Sequence, residues 1–556
     1  SPSLFKMMDN NFFYHDFLNI NQVNTLMLNR GDMHWDPVAQ TNYYEVPACS
    51  GKQSVFSSAI WLGGYDQNNI LHTAAQTYRQ QSANDFWTGP VDTINGTVDS
   101  LTTAQYDRLW KLNRTTLNDF IYNYQQGNVT NGTYEVPEAI VNWPAQGTGN
   151  FTRNLAPFID NNNDGNYNPY DGDYPDITGD QELWWVFNDI YGVHTETNGP
   201  AFGFEIHGKA YAFNCDSLTS VNEPINYTTF YQYKIINRGQ NTYHDMYIGL
   251  WVDNDLGNAA DDYVGCNVGL NSGICYNGDN DDDGASGYGL KPPYQNVTIL
   301  KGPLSDGPDG MDNNHDGVID EANETMGMTH FLNYNGINND PTGQPSTTDD
   351  YYQYLDGVWL DGQPITYGGT GRDLTAIPCN YMFPGSTDPA FPGQPWTMSL
   401  AGIASSDMRY LISTGKFTIA PGETRTIDFA YIYSRDTIGN WPVDAEAKNL
   451  NDIAKINYWF KNGLLSSCPT AVSVNENAKQ QSSLSVYPVP ADKYISVDQF
   501  ESYKSNKYII TDLTGKECLS GKLINKKIDI TLLSPGTYLL QLIKETTFIT
   551  AKFVKL

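Results

Sequence analysis

The order of apolar and polar residues predicts a protein that is mainly β. Residues 230–237 (FYQYKIIN) and 247–253 (YIGLWVD) alternate with a period of two. Such alternation places one set of side chains on each face of a strand. Two further alternating runs within residues 415–434 flank a turn at residues 420–423 (APGE), and this arrangement predicts a hairpin.

Helical spacing of apolar residues is found in two places. Residues 101–125 predict one helix or two short ones, with Thr102 or Thr103 as the expected N-cap. Residues 443–462 carry small and apolar residues on one face and end before Gly463, which is a typical helix stop. The body is therefore expected to contain a few helices beside its strands.

The last stretch of the chain has a pattern of its own. Residues 484–556 contain short alternating runs separated by Pro, Gly and Asp, which predicts a small immunoglobulin-like β-sandwich. Residues 468–483 are polar and patternless, and they predict a linker. The body before the linker is expected to be multidomain and rich in β-sandwich structure, with a mixed β region at 1–200 and a sandwich-like domain at 201–467.

The charge of the chain is unevenly distributed. The formal net charge is −31, from 32 Lys+Arg and 63 Asp+Glu, although residues 482–556 alone are slightly basic. A body this acidic is not expected to bind nucleic acid or anionic lipid, because both require patches of Lys and Arg. Binding of divalent cations would offset this charge. The sequence contains no run of 18 apolar residues, so no transmembrane helix is expected.

The first acidic loop has the ligand spacing of an EF-hand-type calcium loop. Oxygen-bearing residues occupy positions 1, 3, 5, 9 and 12, and Gly165 stands at position 6, where the chain must turn sharply. Pro157 precedes the loop and breaks a helix, so we expect a calcium loop without EF-hand helices. The alternative is a polar turn rich in Asx residues. The predicted ligands are Asp160, Asn162, Asp164, Asn166, Asn168 and Asp171, with Asp173 as a candidate for a neighbouring ion.

A second loop repeats this spacing and resembles the calcium repeats of thrombospondin type 3 and dockerin-like modules. Gly317 stands at position 6, and the acid at position 12 is displaced by one residue. The predicted ligands are Asp312, Asn314, Asp316, the carbonyl of Val318, Asp320 and Glu324. Calcium is therefore the expected structural cofactor.

Another group of acids follows a predicted strand. Asp253 and Asp255 come at the end of the alternating run 247–253, with Asp261 and Asp262 a few residues later. We expect Asp253 and Asp255 to be metal ligands as well, although their spacing is less regular than that of the two loops.

The seven cysteines do not indicate a disulfide-dense scaffold, because their number is odd and the chain is long. Cys266 and Cys275 flank a segment that could turn back on itself, and they are the candidate disulfide pair. No CxxC is present, so zinc or redox chemistry is not indicated.

Motifs that carry catalytic chemistry are missing from the sequence. It contains no HExxH, no GxSxG and no GxxxxGK[ST]. A glycoside hydrolase needs only two carboxylates whose separation in space cannot be deduced from a sequence. Glu182, Glu205 and Asp253 are the candidates for that alternative, in which the protein is a secreted glycoside hydrolase or a carbohydrate-binding protein.

The C-terminal stretch resembles the type A C-terminal sorting domain of the type IX secretion system of Gram-negative bacteria. Four blocks occur in the family's order, namely VYPVP at 486–490, DLTGK at 512–516, LSPGTY at 533–538 and KFVK at 552–555. Val489 stands where the family usually has Asn. The residues that match the sorting signal are Tyr487, Pro488, Pro490, Asp512, Gly515, Gly536, Tyr538, Lys552 and Lys555.

This resemblance implies a destination for the protein and leaves its activity open. It implies docking on the type IX translocon and its outer-membrane shuttle barrel, then cleavage by a sortase and attachment to surface lipopolysaccharide. Phrases in the body such as GDQELWWVFND resemble large secreted surface proteins with the same tail. We therefore expect a calcium-stabilised protein on the outer-membrane exterior, with a non-enzymatic role in adhesion, gliding motility or surface structure.

Overall fold

The computed structural model describes residues 14–79, 83–215, 224–373, 375–465, 486–497, 507–512, 517–544 and 547–556. The chain forms two compact units, Ser1–Pro469 and Thr470–Leu556. The predicted linker at 468–483 lies outside the described residues.

The first unit, called the body below, is mainly β, as the sequence predicts. Its strands are β1 (His15–Leu18), β2 (Asn24–Leu28), β3 (Asp32–Met33), β4 (Trp35–Asp36), β5 (Thr41–Asn42), β6 (Tyr44–Glu45), β7 (Ser57–Asp66), β8 (Leu71–Ala74), β9 (Trp87–Thr88), β10 (Trp110–Asn113), β11 (Phe158–Ile159), β12 (Tyr174–Pro175), β13 (Gln181–Asn188), β14 (Phe204–Ala212), β15 (Thr228–Asn237), β16 (Tyr243–Asp253), β17 (Asp262–Asn267), β18 (Ser272–Asn277), β19 (Asp281–Asp282), β20 (Gly289–Leu290), β21 (Tyr294–Lys301), β22 (His330–Tyr334), β23 (Arg409–Ile419) and β24 (Thr424–Ser434). Its α-helices are α1 (Ser100–Gln105), α2 (Arg114–Gln125), α3 (Glu138–Val141), α4 (Thr348–Leu355) and α5 (Val443–Lys461).

Two large antiparallel sheets organise the body. The first has the order β1-β2-β3-β7-β16-β23-β22, with β6 beside β2 and β8 beside β7. The second has the order β10-β13-β14-β15-β24-β21-β18-β17, with β9 beside β13. Strands from before and after residue 200 are neighbours in both sheets, so the domain boundary predicted at residue 200 is wrong. Sequence patterns reveal strands, whereas the division into domains depends on which strands pair.

The two sheets share one hydrophobic core. Tyr231, Tyr233 and Phe429 of the second sheet are fully buried, and the Tyr233 hydroxyl lies 3.7 Å from Sδ of buried Met33 in the first sheet. His34, next to β3, packs edge-on against Tyr431 of the second sheet at a centroid distance of 5.1 Å. Removal of this aromatic surface from water is the main term that holds the sheets together.

Helices cover the outer faces of the sheets. On the second sheet, Ile453 and Ile456 of α5 belong to a cluster with Ile432 of β24. On the first sheet, Leu355 of α4 approaches so closely that a Cβ on Gly63 would lie 2.8 Å from its Cδ1. The predicted helix at 443–462 is confirmed as α5, and the 101–125 stretch forms α1 and α2. The cap of α1 is Asp99, whose Oδ1 accepts the N–H of Thr102, so the prediction of a threonine cap is wrong.

The hairpin predicted at 415–434 is also wrong. Both strands exist, as β23 and β24, but β23 pairs with β16 and β22 while β24 pairs with β15 and β21. The turn between them therefore crosses from one sheet to the other. A four-residue turn between alternating runs has the same sequence signal in both arrangements, and only non-local pairing distinguishes them.

The second unit is a small β domain with its own core. Its strands are β25 (Val486–Tyr487), β26 (Tyr494–Val497), β27 (Lys507–Asp512), β28 (Glu517–Lys522), β29 (Lys527–Asp529), β30 (Gly536–Lys544) and β31 (Thr547–Lys555). They form the sheets β25-β26-β29 and β28-β27-β30-β31. Ile495, Ile528, Leu540 and Phe553 from the two sheets meet in one cluster, as expected of a sandwich.

Candidate metal sites and the C-terminal tail

The first predicted calcium loop is folded around its Asx side chains. Asp160 accepts the N–H groups of Asp164 and Gly165 at 3.2 and 2.7 Å, and Asn162 Oδ1 accepts the N–H of Asp164 at 2.9 Å. Asp164 in turn accepts the N–H of Asn166 at 2.7 Å, and this hydrogen bond lowers the pKa of Asp164. Gly165 adopts φ +78°, which a residue with a side chain rarely does.

The second predicted loop has the same hydrogen bonds in the same positions. Asp312 accepts the N–H groups of Asp316 and Gly317 at 3.0 and 2.8 Å, and Asn314 Oδ1 accepts the N–H of Asp316 at 2.9 Å. Asp316 accepts the N–H of Val318 at 3.0 Å, and Gly317 has φ +93°. Two segments far apart in the chain thus adopt one backbone conformation.

A buried acid closes each loop at the same point. Asp173 is fully buried and accepts the N–H of Asn161, the second residue of the first loop, at 2.8 Å. Glu324 is 3% exposed and accepts the N–H of Asn313, the second residue of the second loop, at 2.6 Å. The sequence singled out both acids, and the structure gives them equivalent positions.

The other predicted ligands bond to groups beside the loops. Asn166 Oδ1 accepts a hydrogen bond from Arg153, and Asn168 Oδ1 accepts the N–H of Tyr170. Asp171 is exposed and accepts from Asn168 Nδ2 at 2.6 Å. In the second loop Asp320 accepts the N–H groups of Asp309 and Gly310 instead of turning back on its own loop, and Val318 is exposed.

A third group of acids, called the strand-end triad below, lies where β16 ends and β23 begins. One carboxylate oxygen each from Asp253, Asp255 and Asp407 lies within 4.8 Å of the other two. In the described part of the chain, these residues form the one set of three acidic, His or Cys ligand atoms at that spacing. Asp253 and Asp255 were predicted, whereas Asp407 carries no motif and was missed.

The triad is surrounded by two further polar side chains. Tyr78 donates its hydroxyl to Asp253 Oδ2 at 2.5 Å. Arg409 Nε lies 3.4 Å from Asp253 Oδ1, and Arg409 Nη2 lies 3.1 Å from Asp407 Oδ2. Burial raises the pKa of Asp253 to about 8 and that of Asp255 to about 7, although Arg409 opposes both shifts.

The predicted disulfide between Cys266 and Cys275 is not formed, and both residues are free, buried thiols. Cys266 in β17 lies opposite Gly273, while Cys275 in β18 lies opposite Val264. The two cysteines are thus diagonal neighbours, about 7–8 Å apart, which exceeds the usual Cα separation in a disulfide. Cys215 is disulfide-bonded.

The three carboxylates proposed for a glycoside hydrolase are buried. Glu182 and Glu205 are 0% exposed, and Asp253, in the strand-end triad, is 2% exposed. Burial acts to raise the pKa of Glu205, but a hydrogen bond from His207 at 2.9 Å and one from Arg238 at 2.8 Å outweigh it and lower the pKa to about 2. Glu205 therefore pairs with Arg238 and His207 inside the second sheet.

In the C-terminal unit, the segment with the two prolines joins the last strand. Ala491, directly after Pro490, donates its N–H to Val554 O at 2.7 Å and accepts from Leu556 N at 2.9 Å. Tyr487, Pro488 and Pro490 are exposed. The end of the chain's final block is thereby fixed against the residue that follows the first block of the sorting signal.

The remaining sorting-signal residues lie on the second sheet of this unit. Tyr538 stacks on Phe553 and donates its hydroxyl to Ser534 O at 2.9 Å, while Gly536 pairs with Lys555. Lys552 is exposed, and Lys555 Nζ lies 3.5 Å from Asp492. Asp512 ends β27, and Gly515 lies outside the described residues.

None of the described helices is long and apolar enough to cross a membrane. No curated protein matches the chain. Among solved structures, the chain is similar to the adhesin domain of Epf from Streptococcus pyogenes, with 7% identity, 62% of this chain and 87% of that chain covered, and a TM-score of 0.13. A likeness at that score carries no argument about fold or function.

One family matches the C-terminal unit. Residues 485–556 match the family described as secretion system C-terminal sorting domain. The match covers all four blocks that carry the resemblance in the sequence. The chain therefore ends in a C-terminal sorting domain and is a secreted cargo of the type IX secretion system.

Proposed function

We propose that this protein is a calcium-stabilised cell-surface protein that acts without catalysis, in adhesion, gliding motility or surface structure. The observation that carries the proposal is the repeated loop. Segments beginning at Asp160 and Asp312 share four hydrogen bonds, a glycine in the left-handed region and a buried closing acid. Such loops supply hard oxygen ligands, which suit calcium.

Export moves these loops from a compartment with little free calcium to one where calcium is abundant. Loops with dissociation constants of about 10⁻⁴–10⁻³ M stay empty at cytoplasmic calcium concentrations and fill outside the cell. The ions then contribute folding energy only after export, and they offset part of the net charge of −31. A protein with this property remains easier to unfold before it leaves the cell.

The C-terminal sorting domain accounts for how the body reaches the cell surface in this proposal. Its sorting domain engages the translocon and the outer-membrane shuttle barrel, and a sortase then joins the body to surface lipopolysaccharide. The body's fully buried Glu182 and Glu205 favour a surface role over glycoside hydrolysis, because neither carboxylate reaches solvent.

The test is thermal unfolding of the full chain in 1 mM calcium and in chelator, for the wild type and for Asp160→Ala/Asp312→Ala. For a dissociation constant of about 0.1 mM, each loop contributes roughly 1.4 kcal/mol at 1 mM calcium. The double variant should lose about 3 kcal/mol of calcium-dependent stabilisation.

Asp373→Ala is the matched control, because exposed Asp373 also caps an Asx turn, at the N–H of Thr375, but lies outside both loops. It should keep the full response to calcium. A double variant that keeps the wild-type response, or that loses as much in chelator as in calcium, would refute the calcium loops.

A further inference from the structure

We propose that the strand-end triad of Asp253, Asp255 and Asp407 binds one calcium ion, at a site separate from the two loops. The site joins the end of β16 to the start of β23. It does not depend on the loops being calcium sites.

The backbone brings the three acids together. Asp253 lies opposite Arg409 in the β16–β23 ladder, with Asp255 two residues beyond Asp253 and Asp407 two residues before Arg409. Residues two apart in a strand point to the same face. The acids therefore converge on one side of the sheet, which explains the spacing of at most 4.8 Å between their oxygens.

That spacing suits calcium. Calcium takes oxygen ligands at about 2.3–2.6 Å, so two ligands on opposite sides of the ion are up to about 5 Å apart. Calcium also takes six to eight oxygen ligands in flexible geometry, whereas magnesium demands near-ideal octahedral geometry. The side chain of Asp407 is half exposed, which leaves room for water ligands.

The hydrogen bonding of the triad is incomplete without a cation. Asp253 is 2% exposed, and its Oδ1 accepts no hydrogen bond and has only the ion pair with Arg409 at 3.4 Å. Among the described residues, nothing donates a hydrogen bond to the Asp255 carboxylate or forms an ion pair with it. A carboxylate oxygen that is buried without a donor needs another partner, and a bound ion is one that satisfies it.

The net charge of the triad also favours a bound divalent cation. Arg409 is the one cation within 4.0 Å of the triad in the described part of the chain, at 3.4 Å from Asp253 and 3.1 Å from Asp407. With all three carboxylates ionised, as metal ligation requires, the triad and Arg409 carry a net charge of −2, which a single divalent cation would neutralise. A buried group of like charges is stable only when it is compensated in this way.

Aromatic residues beside the triad allow the site to be observed directly. Tyr78 contacts Asp253, and its ring lies 5.1 Å from that of Trp251. Terbium, which replaces calcium at oxygen sites, luminesces when a nearby aromatic ring is excited. The full chain carrying Asp160→Ala/Asp312→Ala removes the loop sites and serves as the background protein.

In that background we expect one bound terbium ion per chain by calorimetry, with sensitised luminescence that calcium displaces. Asp407→Asn should weaken binding by at least about tenfold, because it removes one charged ligand. Asp407 is exposed, so this variant keeps the fold. Asp373→Asn is the matched control and should bind as the background does.

Tyr78→Phe in the same background tests whether the residue that contacts Asp253 influences ion binding. Loss of the hydroxyl contact with Asp253 should change the affinity while one ion still binds. Background protein that binds no ion, or Asp407→Asn protein that binds terbium as tightly as the background, would overturn the proposal. If thermal unfolding shows that the two loops do not bind calcium, the terbium measurements still test the triad.

Discussion

His194 is a buried histidine that joins the two sheets of the body. It lies in the loop between β13 and β14. Its Nδ1 is 2.8 Å from Thr73 O, in β8 of the other sheet, and its Nε2 is 2.7 Å from Asp189 O. Carbonyl oxygens only accept hydrogen bonds, so the doubly protonated, cationic ring is the form that satisfies both contacts.

Two aspartates balance this cation. Asp85 and Asp189 each place an Oδ2 3.8 Å from a ring nitrogen of His194, and all three side chains are fully buried. Each ion pair is worth about 4 kcal/mol at an effective dielectric constant of 20 before desolvation is subtracted. Removal of one partner from a buried ion pair typically costs about 3–5 kcal/mol, because the remaining charge is left without compensation.

The perturbation is His194→Gln, which keeps a polar side chain and removes the positive charge. We expect a loss of about 3–5 kcal/mol in the free energy of unfolding, measured by urea unfolding at pH 7. Burial already raises the pKa of Asp189, and His194 opposes that shift. Without His194 the pKa of Asp189 should rise further, so below about pH 5, where histidine in the unfolded chain is already protonated, the deficit should shrink as Asp189 becomes protonated.

Exposed His15 provides the matched control, and His15→Gln should change the unfolding free energy by less than about 0.5 kcal/mol. A loss below about 1 kcal/mol for His194→Gln would refute the reasoning. So would a deficit that stays constant between pH 5 and pH 4, because it would show that charge compensation is not what His194 provides.

Two further predictions concern acid stability and thiol access. Burial lowers the pKa of His34 to about 3 and of His330 to about 4, below the unfolded value of about 6.5. Because the unfolded state binds more protons, the contribution of each histidine to the free energy of unfolding should fall by up to about 1.4 kcal/mol per pH unit between pH 6.5 and 4. Burial raises the pKa of Asp253 and Asp255, which acts in the opposite direction, so the measurement is the difference in urea unfolding between the wild type and His330→Gln at stepped pH. A difference that does not change across the range would contradict the prediction. Cys266 and Cys275 should react with a thiol reagent only after denaturation while exposed Cys49 reacts in the native protein, and mass spectrometry that finds the two joined would contradict the strand register.

Local structure was determined largely by the sequence itself. Period-two alternation predicted the long strands β15 and β16, and helical spacing with a terminal glycine predicted α5. These features depend on residues close together in the chain, where backbone geometry and turn chemistry decide the outcome. The repeated Asx spacing after Asp160 and Asp312 likewise predicted two loops that fold alike.

The tertiary structure decided which of these elements meet. It placed β23 and β24 in different sheets, although their sequences read as a hairpin, and it put strands from both sides of residue 200 into the same sheets. It set Cys266 and Cys275 one diagonal apart, beyond disulfide reach. It also brought Asp407 beside Asp253, a juxtaposition with no local signature. Strand pairing depends on burial of apolar faces contributed by distant segments, and a periodic pattern shows only that a face is apolar, not what will cover it.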